Sequence, residues 1–132
     1  MINQWYILTW LFFHKLTMNN NNKPKKYINF FQSFKDVIPC NICKKHYIKI
    51  LNFPTKIMQY NLKKGKIFEW TIDLHNEINK NNNKEIWSYE KAIKYYSEIK
   101  ITNEDINNFI KIFIRIGILY SKKNEVLSMF EY

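Results

Sequence analysis

Glycine is nearly missing from this chain, with two in 132 residues, and proline occurs three times. A fold of many strands needs tight turns, and such turns lean on these two residues. Their scarcity favours helices. Arginine is scarcer still: Arg115 stands alone among 21 basic residues, and the rest are lysine. The formal net charge is nonetheless +10, from 21 basic and 11 acidic side chains. A charge of that sign suits nucleic acid or an acidic protein. Nucleic-acid surfaces, however, depend on the bidentate fork of arginine, which lysine does not reproduce. The lysines are read as solvated helix faces, and no nucleic-acid partner is expected. Long apolar runs are absent too. No stretch reaches the roughly 18 uncharged apolar residues of a membrane span. Trp5 to Phe13 is apolar, but no basic segment precedes it and no cleavage site follows, so no secretory signal is expected.

Cysteine is the most telling shortage. Cys40 and Cys43 are the only two, separated by Asn41 and Ile42. They cannot build the framework of a small secreted domain. In a reducing compartment a CxxC pair is catalytic or metal-binding. Histidine is also rare. His46 follows Cys43 by one helical turn, and the other two are His14 and His75.

What is plentiful is apolar and aromatic: 46% and 17% of the residues, ample for one core. Residues 4–18 read as a helix, with Trp5, Leu8, Leu11 and Phe12 near one stripe and Trp10 and His14 sharing a face. A polar loop from Asn19 to Pro24 follows. A second helix over 26–38 carries Tyr27, Phe30, Phe31 and Phe34 and is stopped by Pro39. The third starts at or near Cys40 and ends by Pro54. It sets Cys43, His46, Tyr47 and Ile50 on one face. A thiol in its first turn feels unpaired N–H groups, which stabilise a thiolate, and Lys44 and Lys45 add positive potential.

Met58 to Lys66 reads as a loop around Gly65. A fourth helix over 67–81 buries Ile67, Thr71, Leu74 and Ile78. His75, Asn76 and Asn79 cluster on an adjoining face, aimed at a polar partner. Asn81-Asn82-Asn83 breaks the chain, and Ser88 caps a short fifth helix to Ile99. From Asn103, Ile106, Phe109, Ile110 and Phe113 fit a helix capped by Asn103, while Ile110, Ile112, Ile114, Ile116 and Ile118 alternate like a strand. A helix is favoured, because a lone strand would have no partner. The tail from Ser121 is expected to be loose.

On the residues alone, three chemistries stay open. The CxxC is a redox pair, or Cys40, Cys43, His46 and a distant histidine form a structural zinc site, or the chain is a basic helical binding module. A thioredoxin-like arrangement is disfavoured, since no βαβ pattern surrounds the cysteines.

The spacings resemble the Erv/ALR family of FAD-linked sulfhydryl oxidases, especially its short viral members. Trp5, Trp10 and His14 look like that family's W-x4-W-x3-H. Cys40 to His46 looks like its C-x-x-C-x-x-H. Trp70 to Asn79 is similar to W-x4-H-N-x-x-N, followed by Lys84 and Trp87. The likeness covers roughly residues 5–98. The chain departs from it in having Tyr6-Ile7 where glycine-proline is usual, and in lacking a second, shuttle cysteine pair.

The resemblance implies an all-α fold: a four-helix bundle plus a short fifth helix over residues 1–100. Residues 101–132 have no counterpart in it and are read, from their own pattern, as a C-terminal, helical extension. It implies FAD held by Trp10, His14, Cys43, His46, Trp70, His75, Asn76, Asn79, Lys84 and Trp87. Cys40 and Cys43 would be the catalytic pair, and no metal is expected. Cys40 would meet the client and Cys43 would face the flavin, with electrons passed to O2 and released as H2O2. A thioredoxin-like dithiol carrier or client protein would be the partner, in the cytoplasm of an infected cell or in a virion. The resemblance also implies a homodimer through the first helices, to which the apolar surplus at Leu8, Leu11 and Phe12 lends weight.

Overall fold

The computed structural model describes residues 2–18, 24–35, 38 and 40–115, without the side chains of 2–5, 24–26, 33, 110 and 112–115. The expectations for the Asn19 loop, for Pro39 and for the tail lie outside those residues, as does any role of the Trp5 side chain. Among the described residues there are seven helices and no strand. They are α1 (Ile2–Met18), α2 (Pro24–Phe34), α3 (Asn41–Asn52), α4 (Lys56–Lys63), α5 (Ile67–Asn81), α6 (Tyr89–Ser97) and α7 (Asn103–Arg115). None of them is long and apolar enough to cross a membrane.

Helix α5 is the hub, packing against α1, α3, α4 and α6. Phe68, Trp70, Ile72 and Leu74 all fall below a tenth exposed because α5 has neighbours on several sides. Helix α2 joins through aromatics. Phe13 of α1 meets Phe31 and Phe34 edge-on at 4.6 and 4.8 Å. This geometry suits the ring quadrupoles better than a face-to-face stack. The Tyr47 hydroxyl donates to the Phe31 carbonyl and ties α3 to the same layer.

Three boundaries differ from the sequence reading. Helix α2 begins at Pro24, whose fixed φ suits a first turn, and ends at Phe34. Helix α7 is capped by Thr102 rather than Asn103. The Asp105 N–H donates to Thr102 Oγ1 at 3.1 Å, and Asp105 Oδ2 accepts from the Thr102 N–H at 2.9 Å. This reciprocal pair is a capping box with aspartate in the third position.

The third difference is larger. Residues 58–63, expected within a loop, belong to α4, which is capped by Thr55 and closed by Gly65 at φ 73°. The helix was hidden because one of its two buried positions is polar. Asn61 donates to Asp73 Oδ2 at 2.7 Å and to the Tyr89 hydroxyl at 3.0 Å, and Tyr89 donates to Asp73 Oδ1 at 2.6 Å. The network joins α4, α5 and α6 by hydrogen bonds, where apolar periodicity finds nothing. Burial raises the Asp73 carboxyl and pushes the Tyr89 phenol up to about 12.

Part of the apolar surplus on α1 that suggested a second copy is met from within the chain, while Leu8 and Leu11 stay half-buried. Phe12 stacks on Phe109 of α7 at 4.4 Å, and Leu11 packs with Phe68, Ile72, Ala92 and Tyr96. Helix α7 is thus part of the core. Phe109 is 2% exposed, so Phe109→Ala should cost about 3–5 kcal/mol in urea unfolding, as large core truncations do. A loss below about 1 kcal/mol, the range of surface changes, would mean that α7 is not docked.

Candidate active site

The site is built where α1, α3 and α5 meet. Cys40 is the N-cap of α3, in extended conformation at φ −96° and ψ 119°. Its Sγ accepts a hydrogen bond from the Cys43 N–H at 3.3 Å. Both cysteines are free thiols and only partly buried. Their environments push them apart. Cys40 is lowered by hydrogen bonds from the Cys43 side chain and backbone. Cys43 is raised to about 11 by burial, by its side-chain bond to Cys40 and by charge on Cys40. The first proton therefore leaves Cys40, where the helix start can hold the charge.

Cys43 and His46 open onto a cleft that also meets Trp10, Phe13, Phe34 and Tyr47. It holds about 530 Å³ of empty space, its open mouth included. Trp10 is the wall toward α5. It stacks on His75 at 3.8 Å and 4°, and on His14 at 5.5 Å and 13°. The Trp10 Nε1–H is buried and finds no acceptor among the described residues.

His14 is fully buried. Its Nε2 lies 2.8 Å from His75 Nδ1, and its Nδ1 lies 3.0 Å from Thr71 Oγ1. Burial, and then the neighbouring His75, lower His14 well below the ordinary imidazole value. Burial and then the Lys84 ammonium lower His75 to about 4. Both rings are neutral across the physiological range. Thr71, which the sequence reading placed in the core stripe, is the residue that reading missed. A threonine inside an apolar stripe, one helical turn from a histidine, was the available signal.

The remaining candidates divide. Asn76 spends both ends of its amide on the Trp87 backbone, donating to O at 2.9 Å and accepting from N–H at 3.0 Å. Asn79 donates to the Glu85 carbonyl at 3.1 Å. The polar partner of these amides is the 82–88 segment, which they clasp against α5. That segment carries Lys84, whose Nζ stands 4.9 Å from the Tyr6 ring centre, and Trp87, which packs on Tyr95 and Tyr96. Trp70 is not brought to the cleft. It is buried against Phe31 at 5.2 Å, in an apolar groove between α2, α3, α4 and α5. Among the described residues, no three His, Cys, Asp or Glu side chains converge on a point that could hold a metal.

The model of the Erv1 / Alr family matches residues 8–114, from α1 into α7. The chain belongs to the Erv1/Alr family. A protein of Acanthamoeba polyphaga mimivirus named "Probable FAD-linked sulfhydryl oxidase" is 30% identical over 96 residues, covering 69% of this chain and 67% of that one. No solved structure gives a significant match. This Erv1/Alr chain therefore places its CxxC at a helix start beside an aromatic cleft.

The thiol order is measurable. Thiolate absorbance against pH should show Cys40 ionising first and Cys43 near 11. Cys43→Ser keeps both an N–H and a hydroxyl to donate, so Cys40 should stay below the ordinary thiol range. Cys40→Ser removes the charge that opposes Cys43, which should then titrate below about 11. A wild type in which Cys43 ionises first would refute this arrangement.

Proposed function

We propose that this Erv1/Alr protein is a sulfhydryl oxidase that carries FAD and forms disulfides in client proteins: 2 R-SH + O2 → R-S-S-R + H2O2. The observation that carries the reading is the division of the two sulfurs. Cys43 lines the aromatic cleft, while Cys40, the cap of the helix, is not among its lining residues. The name of the mimivirus relative supports the activity and the cofactor.

The residues fit a flavin dinucleotide. The cleft is lined by the aromatic rings of Tyr6, Trp10, Phe13, Phe34 and Tyr47, which suit a planar ring system, and by Cys43. Among the described residues, Trp10 supplies a buried N–H without an acceptor, and His75 an imidazole nitrogen without a protein partner. Trp10, Cys43 and His46 line the cleft and would hold FAD there. His75, stacked on Trp10, and Lys84, over the Tyr6 ring, lie outside that lining and would meet FAD beside it. His14 would act through His75. Asn76 and Asn79 would position the segment bearing Lys84 and Trp87. Bound there, FAD supplies a two-electron acceptor that returns the pair to O2 as H2O2.

The chain's own steps balance as thiol exchange. In the oxidised form of the pair, in which Cys40 and Cys43 would be joined as a disulfide, a client thiolate bonds to Cys40 Sγ, the Cys40–Cys43 bond breaks, and Cys43 leaves as thiolate. The client's second thiolate attacks its own sulfur in the mixed disulfide and releases Cys40. The client is oxidised by two electrons, and the cysteine pair holds them as a dithiol beside the cleft. Lys84 places positive charge where the Cys43 thiolate forms.

Within these 132 residues no third cysteine relays electrons. The client's thiol would reach Cys40 itself, which suits a thioredoxin-like carrier with an exposed dithiol. The +10 charge would speed the approach of an acidic carrier, less so in salt.

Two measurements test the reading. Purified protein should be yellow with stoichiometric FAD, and replacing His75 and Asn79 together by alanine should strip the flavin while helicity persists. Full flavin retention in that double variant would sink the cofactor assignment. Cys43→Ser should trap a client on Cys40 as a mixed disulfide. A trap that instead forms in Cys40→Ser would reverse the two roles.

A further inference from the structure

We propose that Thr71 is a positioning residue of this site: it fixes the protons of the His14–His75 pair so that His75 presents Nε2 as a bare hydrogen-bond acceptor to FAD. The inference rests on the FAD reading for its ligand, but the proton arrangement stands on the protein alone.

The argument starts at a carbonyl. Thr71 Oγ1 lies 2.6 Å from the Phe68 carbonyl oxygen, one turn back in α5. A carbonyl cannot donate. Two oxygens that close repel unless a proton lies between them, so the single hydroxyl proton of Thr71 points at Phe68. Thr17 cannot supply a second one. Its own hydroxyl is 2.8 Å from the Phe13 carbonyl and donates there, leaving a longer 3.3 Å contact with Thr71. Thr71 Oγ1 therefore faces His14 with a lone pair, and His14 Nδ1 must carry the proton of the 3.0 Å bond.

A neutral ring has one N–H. With Nδ1 protonated, His14 Nε2 is an acceptor, and the 2.8 Å bond takes its proton from His75 Nδ1. His75 is neutral as well, so its Nε2 is bare. Among the described residues that nitrogen has no protein partner, and it is not sealed from solvent. The opposite arrangement needs His14 Nε2–H, which would leave His14 Nδ1 demanding a proton that Thr71 has committed elsewhere. That orphan would sit in a fully buried spot, where an unmet acceptor is costly.

The chemical consequence is selective. A bare nitrogen accepts from an N–H or O–H group of the dinucleotide. It cannot serve a phosphate oxygen or a ring carbonyl, which a protonated Nε2 would attract. Thr71 touches neither cleft nor sulfur, so its effect reaches the ligand only through the two rings.

The test compares Thr71→Val, which keeps the shape without the hydroxyl, with Thr71→Ser, which keeps the hydroxyl. Nitrogen-15 histidine spectra are recorded on the holoprotein and again after flavin removal. The wild type should show Nδ1–H on both His14 and His75. In Thr71→Val both rings should revert to Nε2–H, and FAD should bind about 10-fold more weakly, the size of one lost hydrogen bond. Thr71→Ser should keep the wild-type tautomers and bind within about 2-fold, well inside that loss. Nε2–H on His75 in the wild type would overturn the proposal whatever binds there. So would a Thr71→Val protein with wild-type tautomers and affinity. If Thr71→Val does not fold, the spectra of wild type and Thr71→Ser decide alone. A wild type with the expected tautomers but no affinity for FAD would overturn the ligand assignment and not the proton arrangement.

Discussion

The structure turns on a 2.8 Å hydrogen bond between two imidazoles, His14 of α1 and His75 of α5. Burying one neutral imidazole without partners costs about 1–3 kcal/mol per unmet group, and burying a charged one costs more. Here the shared bond satisfies one nitrogen of each ring, Thr71 satisfies the second of His14, and Trp10 covers both rings by stacking. The bond has a narrow geometry, so it fixes how α1 lies on α5. Everything at the site inherits that register: Trp10 becomes the cleft wall, and α3 brings Cys43 to its edge. Helix α5 spends its other polar residues in the same manner. Asp73 reaches α4 and α6, and Asn76 and Asn79 hold the 82–88 segment. The hub is thus joined to its neighbours by directional bonds as well as apolar contact.

The two sulfurs share one capacity to stabilise charge. The start of α3 offers its N–H groups to Cys40, and a charge there raises Cys43. Both effects change once Cys40 is bonded to another sulfur. It then carries no charge, so the opposition from Cys40 disappears, while burial and the favourable influence of Lys84 remain. Cys43 is therefore easier to ionise when Cys40 is engaged than when Cys40 is a thiolate, while burial still holds it up.

The long helices were legible because their apolar residues recur at helical spacing, as with Phe30, Phe31 and Phe34 in α2. Cys40 as the start of α3 was legible from Pro39 and from the face shared by Cys43 and His46. Three things were not. Helix α4 was lost because Asn61 fills a core position by hydrogen bonding to Asp73 and Tyr89, and polar complementarity leaves no periodic trace. The service of Asn76 and Asn79 to their own chain was lost because an amide suits a backbone segment as well as a ligand. The destination of Trp70 was lost because spacing places a residue on a helix face without saying what that face meets. In each case a pairwise contact decided the outcome, and one sequence encodes such contacts only weakly.

The lysine excess also acquires a local meaning. With 21 basic against 11 acidic residues, nearly half of the basic groups cannot find a carboxylate of their own. The described residues show two ion pairs, Lys80 with Glu77 and Lys91 with Glu85. Three lysines lie over aromatic rings: Lys64 on Tyr60, Lys84 on Tyr6 and Lys91, which also pairs with Glu85, on Trp87. On an exposed surface the two kinds of contact are worth similar amounts, under about 1 kcal/mol each. The aromatic option differs in what it leaves behind. A carboxylate partner would cancel the field of Lys84, whereas the Tyr6 ring orients the ammonium and leaves its full charge acting on its surroundings. Both Cys43 and His75 register that charge, one favoured as a thiolate and the other held neutral. A single lysine resting on a ring thus serves the sulfur and the imidazole at once, as a Lys84–carboxylate pair could not.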